Sequence, residues 1–156
     1  MSNFRITGLA PERFAHLFGA TDEALAAVGA RRRIVDAHPG YPARIEMRDL
    51  ELGEKAILVN YLHLDVDSQY RSSHAIFVRE GATRAYEAVD EIPEVLRSRL
   101  LSVRAFDRDA MMTDGDVIQG DGLQSWILAA FANAEVAFVD VHNAKRGCFA
   151  GRVLRA

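Results

Sequence analysis

The stretch VDVHNAKRGCFAGR, residues 139–152, brings Asp140, His142, Arg152 and the only cysteine of the chain, Cys148, into a short span. A thiol beside an imidazole that a carboxylate orients has the parts of an activated nucleophile: Cys148 would attack, with His142 as base and Asp140 as its orienter. Arg152 would hold an anionic substrate group, and Asn143 is grouped with it as a ligand-binding residue. The plainer reading makes Cys148 a small buried hydrophobe and Asp140 with Arg152 a cross-strand ion pair.

Loop parity separates the two readings. A three-residue loop, Lys145 to Gly147, with Gly147 in the left-handed position, pairs Asp140 with Arg152 and sets Cys148 diagonally from His142, roughly 7 Å away at the backbone. Cys148, Ala150 and Arg152 then share a face with His142. A loop of even length puts the cysteine on the opposite face.

A second polar cluster, DVDSQYRSSH at residues 65–74, lies between two hydrophobic runs. Arg71, Ser72 and Ser73 combine a guanidinium, two hydroxyls and successive backbone N–H groups, which suits carboxylate or phosphate. Alternatively, Arg71 pairs with Asp65 or Asp67. Tyr61, His63 and Asp65 alternate along the preceding run and project toward the same loop, so Tyr61 and His63 join the expected ligand-binding set. His63, His74 and His142 invite a metal reading, but their spacings match no motif of defined ligand geometry, and no metal or other cofactor is assigned.

These groups need strands to hold them. FRITGL, residues 4–9, alternates as a first strand, and Pro11 opens a helix with Phe14, Leu17 and Phe18 on one face. Thr21 caps a second helix that Gly29 ends. ARIEMRD, residues 43–49, has the half-buried strand pattern and resembles a hairpin with KAILVNYLHL, whose continuous apolar character suits a central strand. HAIFVRE, LLSVRAF, MMTDGDVI, AEVAFVDV and CFAGRVL read as further strands. Helices are expected from Pro93 through Arg99 and over residues 122–133, where Leu123, Trp126, Ile127, Ala130 and Phe131 recur at helical spacing. The expectation is an α+β fold with about four short helices and a predominantly antiparallel sheet, possibly curled toward a barrel. No repeat or linker divides the pattern, so residues 1–156 are expected to form a single domain.

Hydrophobic residues make up 49% and charged residues 26% of the 156 positions, values that argue against a disordered chain. The longest apolar run, WILAAFA at residues 126–132, is far shorter than the roughly 20 residues a membrane-spanning helix needs. A soluble, cytoplasmic protein is expected, since MSNFRITGLAPERF lacks the features of an export signal and one cysteine cannot form an intrachain disulfide. A net charge of -3 gives no general attraction for nucleic acid, and Arg31 to Arg33 read as the solvated start of a strand.

FRITGL, YRSSHAIFVREGA, AVDEIPEVLRSRLLSVRAFD and VHNAKRGCFAGRV in this order resemble the bacterial domain-of-unknown-function family 1203 over essentially the whole chain. The resemblance implies a single-domain bacterial protein of this length with no assigned activity, so no catalytic residue is carried over. Two departures stand out: Ser73-His74-Ala75 where the family is expected to read Ser-Gly-Pro, and Ala43 where a cysteine often precedes the arginine.

The leading expectation is a domain that binds a small anionic molecule, or acts on one as an enzyme, with a site between the 65–74 loop and the 139–152 hairpin. The competing readings are a noncatalytic structural or protein-interaction domain that forms a homodimer, and a Cys148-dependent enzyme. Neither nucleic acid nor membrane is expected as a partner.

Overall fold

A computed structural model describes residues 3–156. Strand β1 (Phe4–Thr7) buries Phe4 and Ile6 and exposes the residues between. The segment after Pro11 forms two 3-10 turns, Pro11–Arg13 and Ala15–Leu17, where a helix was expected. Helix α1 (Asp22–Ala27) follows the Thr21 cap, whose hydroxyl accepts from the Ala24 N–H at 3.1 Å. Next come β2 (Arg31–Ile34), β3 (Pro42–Ala43), β4 (Arg48–Asp49), β5 (Lys55–Leu64), β6 (Ser72–Arg79) and β7 (Glu87–Val89). The chain closes with α2 (Glu94–Arg97), β8 (Leu100–Phe106), β9 (Met112–Gln119), α3 (Leu123–Phe131), β10 (Phe138–Asn143) and β11 (Phe149–Arg155).

The strands make two open sheets, one ordered β7-β1-β11-β10-β8-β9 and the other β2-β5-β6-β3-β4. Among the described residues every pairing is antiparallel except the single β3–β6 bridge, Ala43 to Phe77. The class is therefore α+β, but neither sheet closes into a barrel. Among the described residues there are three α-helices where about four were expected.

The largest departure from the sequence pattern is ARIEMRD. Its alternation suggested one strand paired with β5, but residues 44–47 form a turn between β3 and β4, with Met47 at φ 53. The close approach of β1 holds this turn in place: a Cβ on Gly8 would stand 1.9 Å from the Ile45 carbonyl oxygen, and the Leu9 N–H donates to the Arg44 carbonyl at 2.9 Å. β5 pairs with β2 and β6.

Sheet β7-β1-β11-β10-β8-β9 has two different faces. Ile6, Val103, Val139, Val141 and Val153 pack with Leu96 of α2 and with Leu123, Ile127 and Phe131 of α3 in one core. Because side chains alternate along a strand, Asp140 and His142 point the other way, toward β5 and β6. A second core joins Ile57, Ile76 and Val78 of the sheet that holds β5 and β6 to Phe14, Leu17 and Leu25.

Candidate functional site

His63 lies at a break in the β5–β6 register between Leu62 and Leu64, and His74 stands opposite Tyr61 on β6. His63 Nε2 lies 2.7 Å from His74 Nδ1, and the two rings stack with centroids 4.8 Å apart. From the facing sheet, His142 meets them edge-on, 5.0 Å from the His63 ring and 5.2 Å from the His74 ring. Phe149 covers the other face of His63, with centroids 4.9 Å apart and planes 9° from parallel. The His142 Nδ1–H donates to the Gly147 carbonyl at 2.9 Å, and Ser72 Oγ lies 3.2 Å from His63 Nε2.

A bidentate ion pair lies beside the rings. Arg152 Nε and Nη2 donate to Asp140 Oδ1 and Oδ2 at 2.7 and 3.0 Å, and Nη2 also donates to the His63 carbonyl at 3.0 Å. Arg104 Nη1 approaches His142 Nε2 only to 3.5 Å. Burial, with His74, Arg152 and Arg104 adding repulsion, lowers the pKa of His63 to about 4. Burial also lowers His142 to about 3, against the favourable bond to Gly147. His74 is lowered by burial and then by Arg104, whereas burial raises the Asp140 carboxyl despite its guanidinium partner.

The hairpin contains both parities weighed above. Next to the turn, the Asn143 N–H donates to the Cys148 carbonyl at 2.9 Å and His142 faces Phe149, so the loop has four residues, with Gly147 at φ 79. A bulge at Ala150 then shifts the register by one, so that Val141 faces Gly151 and Asp140 faces Arg152. The expected Asp140–Arg152 pairing is present, but Phe149 stands opposite His142, where the three-residue loop would put Ala150 with Cys148 diagonal to it. Ala150 packs in the core with Val139 and Val141 instead of sharing a face with Arg152.

The cysteine has other neighbours. Its Sγ accepts from Arg44 Nη2 at 3.1 Å and from Asn143 Nδ2 at 3.6 Å. Arg44 is only 3% exposed, and its other bonds go to the carbonyl oxygens of Phe149, at 2.8 Å, and Pro42. No carboxylate lies within ion-pair distance of it among the described residues, and burial lowers the pKa of its guanidinium. Arg44, Asn143 and Cys148 line a cleft of about 960 Å³ that His74 also borders. The cleft walls further carry Arg33, Arg99, Lys145 and Arg146, and no Asp or Glu. Arg99 donates to both carboxylate oxygens of Asp49, at 2.9 and 2.6 Å.

The second expected cluster divides. Arg71 is exposed and pairs with Asp65 at 3.3 Å on its own loop, Ser73 is exposed, and only Ser72 reaches the histidines. Tyr61 Oη accepts from Arg13 Nη1 at 3.1 Å, and its ring packs against Phe14 and Phe149. The sequence reading passed over Arg44, Arg99, Arg104 and Phe149. Arg44 was hidden by the regular alternation of ARIEMRD, and nothing in its local pattern marks it as buried.

The fold and these two constellations define a class: a two-sheet α+β protein with a histidine cluster between the sheets and a carboxylate-free cationic cleft beside it. The chain belongs to the family described as protein of unknown function (DUF1203), whose model matches residues 40–155. That stretch includes all three histidines and every charged residue of the cleft except Arg33. Neither a curated protein nor a solved structure matches the chain.

Proposed function

We propose that this protein binds a small anionic molecule, a carboxylate or a phosphate, in the cleft between the β3–β4 turn and the final hairpin. The observation that carries this reading is the charge of the lining: Arg33, Arg44, Lys145 and Arg146, together with Arg99 that Asp49 already pairs, and no carboxylate among the lining residues, in a chain whose net charge is -3. Arg44 is the centre of the reading. A buried guanidinium without an ionic partner is unfavourable in the free protein, and an anion in the cleft would supply the missing countercharge. Asn143 and Cys148 would contact the ligand from the same wall. Arg152 is committed to Asp140 and Arg71 to Asp65, so neither is assigned to the ligand.

A thermal-shift screen of small organic acids and phosphates tests the proposal. At least one should raise the melting temperature, and the rise should shrink in Lys145→Ala/Arg146→Ala, a change confined to two exposed turn residues. If no acid or phosphate stabilises the protein, the noncatalytic structural reading replaces this one.

A further inference from the structure

We propose that His63, His74 and His142 form a binding site for a divalent transition metal ion of the zinc class. One ring nitrogen from each of the three lies within 4.8 Å of the others, although the residues come from three strands and two sheets. Around a tetrahedral zinc, with Zn–N bonds of about 2.0–2.1 Å, ligand nitrogens stand roughly 3.3 Å apart. The separations here, from 2.7 Å between His63 and His74 up to the 4.8 Å limit, bracket that value.

The hydrogen bonding is that of a prepared ligand set. His142 gives its Nδ1–H to the Gly147 carbonyl, which fixes the tautomer and leaves the Nε2 lone pair available; its one neighbour there, Arg104, is at the 3.5 Å limit of a hydrogen bond. His63 and His74 aim ring nitrogens at each other, so in the metal-free protein a proton must sit where a metal would bind. His63 is 5% exposed, yet its Nδ1 has no hydrogen-bond partner.

An all-imidazole set favours zinc, cobalt, nickel or copper over the oxygen-seeking magnesium and calcium. Arg104 and Arg152 outnumber Asp140, so the charge balance of a bound dication calls for an anionic further ligand such as hydroxide or a carboxylate. This goes beyond the anion-binding reading and is tested apart from it.

The experiment is titration of the chelator-treated full chain with Co²⁺ and then Zn²⁺, in chloride buffer free of organic acids and phosphate. The expected result is one equivalent of Co²⁺ with visible ligand-field bands that Zn²⁺ abolishes. Affinity should be retained in Cys148→Ser and weakened more than about 100-fold in His74→Ala, beyond what loss of an outer-shell partner causes. Absence of stoichiometric binding, or unchanged affinity in a folded His74→Ala, overturns the proposal. Should His74→Ala fail to fold, imidazole nitrogen NMR of the wild-type protein decides. Zinc must shift nitrogens of His63, His74 and His142; shifts confined to His16 and His38 overturn it.

Discussion

Asp140, His63 and His142 are titratable groups taken almost entirely out of water, at 0, 5 and 1% exposure, and each carries a pH dependence of determinable sign. For a histidine whose folded pKa is depressed, the stabilisation is present above the unfolded value of 6.5 and is lost as pH falls toward the folded value, about 4 for His63 and about 3 for His142. Asp140 has the opposite sign: its folded pKa is raised, so its contribution grows as pH falls and offsets part of the histidine loss. In metal-free protein, each of the two histidines should withdraw about 2 kcal/mol between about pH 7 and about pH 5. Denaturant unfolding at the two pH values measures the sum. A stability that stays flat across this window would show that the rings are not buried as neutral groups.

At the level of elements, the β3–β4 turn and the β10–β11 hairpin place the cleft, and a glycine is critical to each for a different reason. Gly8 of the β1 exit touches the turn that carries Arg44; a Cβ there would meet the Ile45 carbonyl at 1.9 Å, and backbone cannot swing aside as a side chain can. Gly8→Ala should therefore cost more than about 3 kcal/mol and weaken anion binding by displacing Arg44. Gly147 has open space around its missing Cβ and needs only its positive φ. Gly147→Ala should cost about 1 kcal/mol. Thermal or denaturant unfolding of the two variants checks the order, and equal losses would contradict the packing described here.

On the scale of the molecule, the histidines join the two sheets through side chains, and Arg152 of one sheet donates to the His63 carbonyl of the other. Leu9 and Tyr86 add backbone bonds from the β1–β7 side to the β3–β4 turn, with the Leu9 N–H on the Arg44 carbonyl and the Tyr86 N–H on the Ile45 carbonyl, both at 2.9 Å. We propose on this basis that residues 1–156 fold as one domain, as the unbroken sequence pattern suggests. Calorimetry should show one transition whose van't Hoff and calorimetric enthalpies agree; two resolved transitions would separate the sheets into independent units. Among the described residues no helix is long and apolar enough to cross a membrane, in keeping with the short apolar runs.

Local pattern was sufficient wherever local forces decide structure. KAILVNYLHL and LLSVRAF are strands β5 and β8 at the residues read from their apolar patterns, and Thr21 caps α1. Three features required the tertiary structure. Residues 44–47 leave the strand pattern because β1 crosses them closely, a long-range contact that alternation does not encode. The bulge at Ala150 reverses the face of Cys148, since one extra residue changes side-chain direction without changing the flanking sequence pattern. Most of all, His63, His74 and His142 are 11 and 68 residues apart along the chain, and only the facing of two sheets brings their nitrogens together. The sequence by itself determined the class of fold, most of its strands and the family. The meeting of the histidines and the cationic lining around Arg44 were decided by packing between sheets, because spacing along one strand constrains only that strand's own faces.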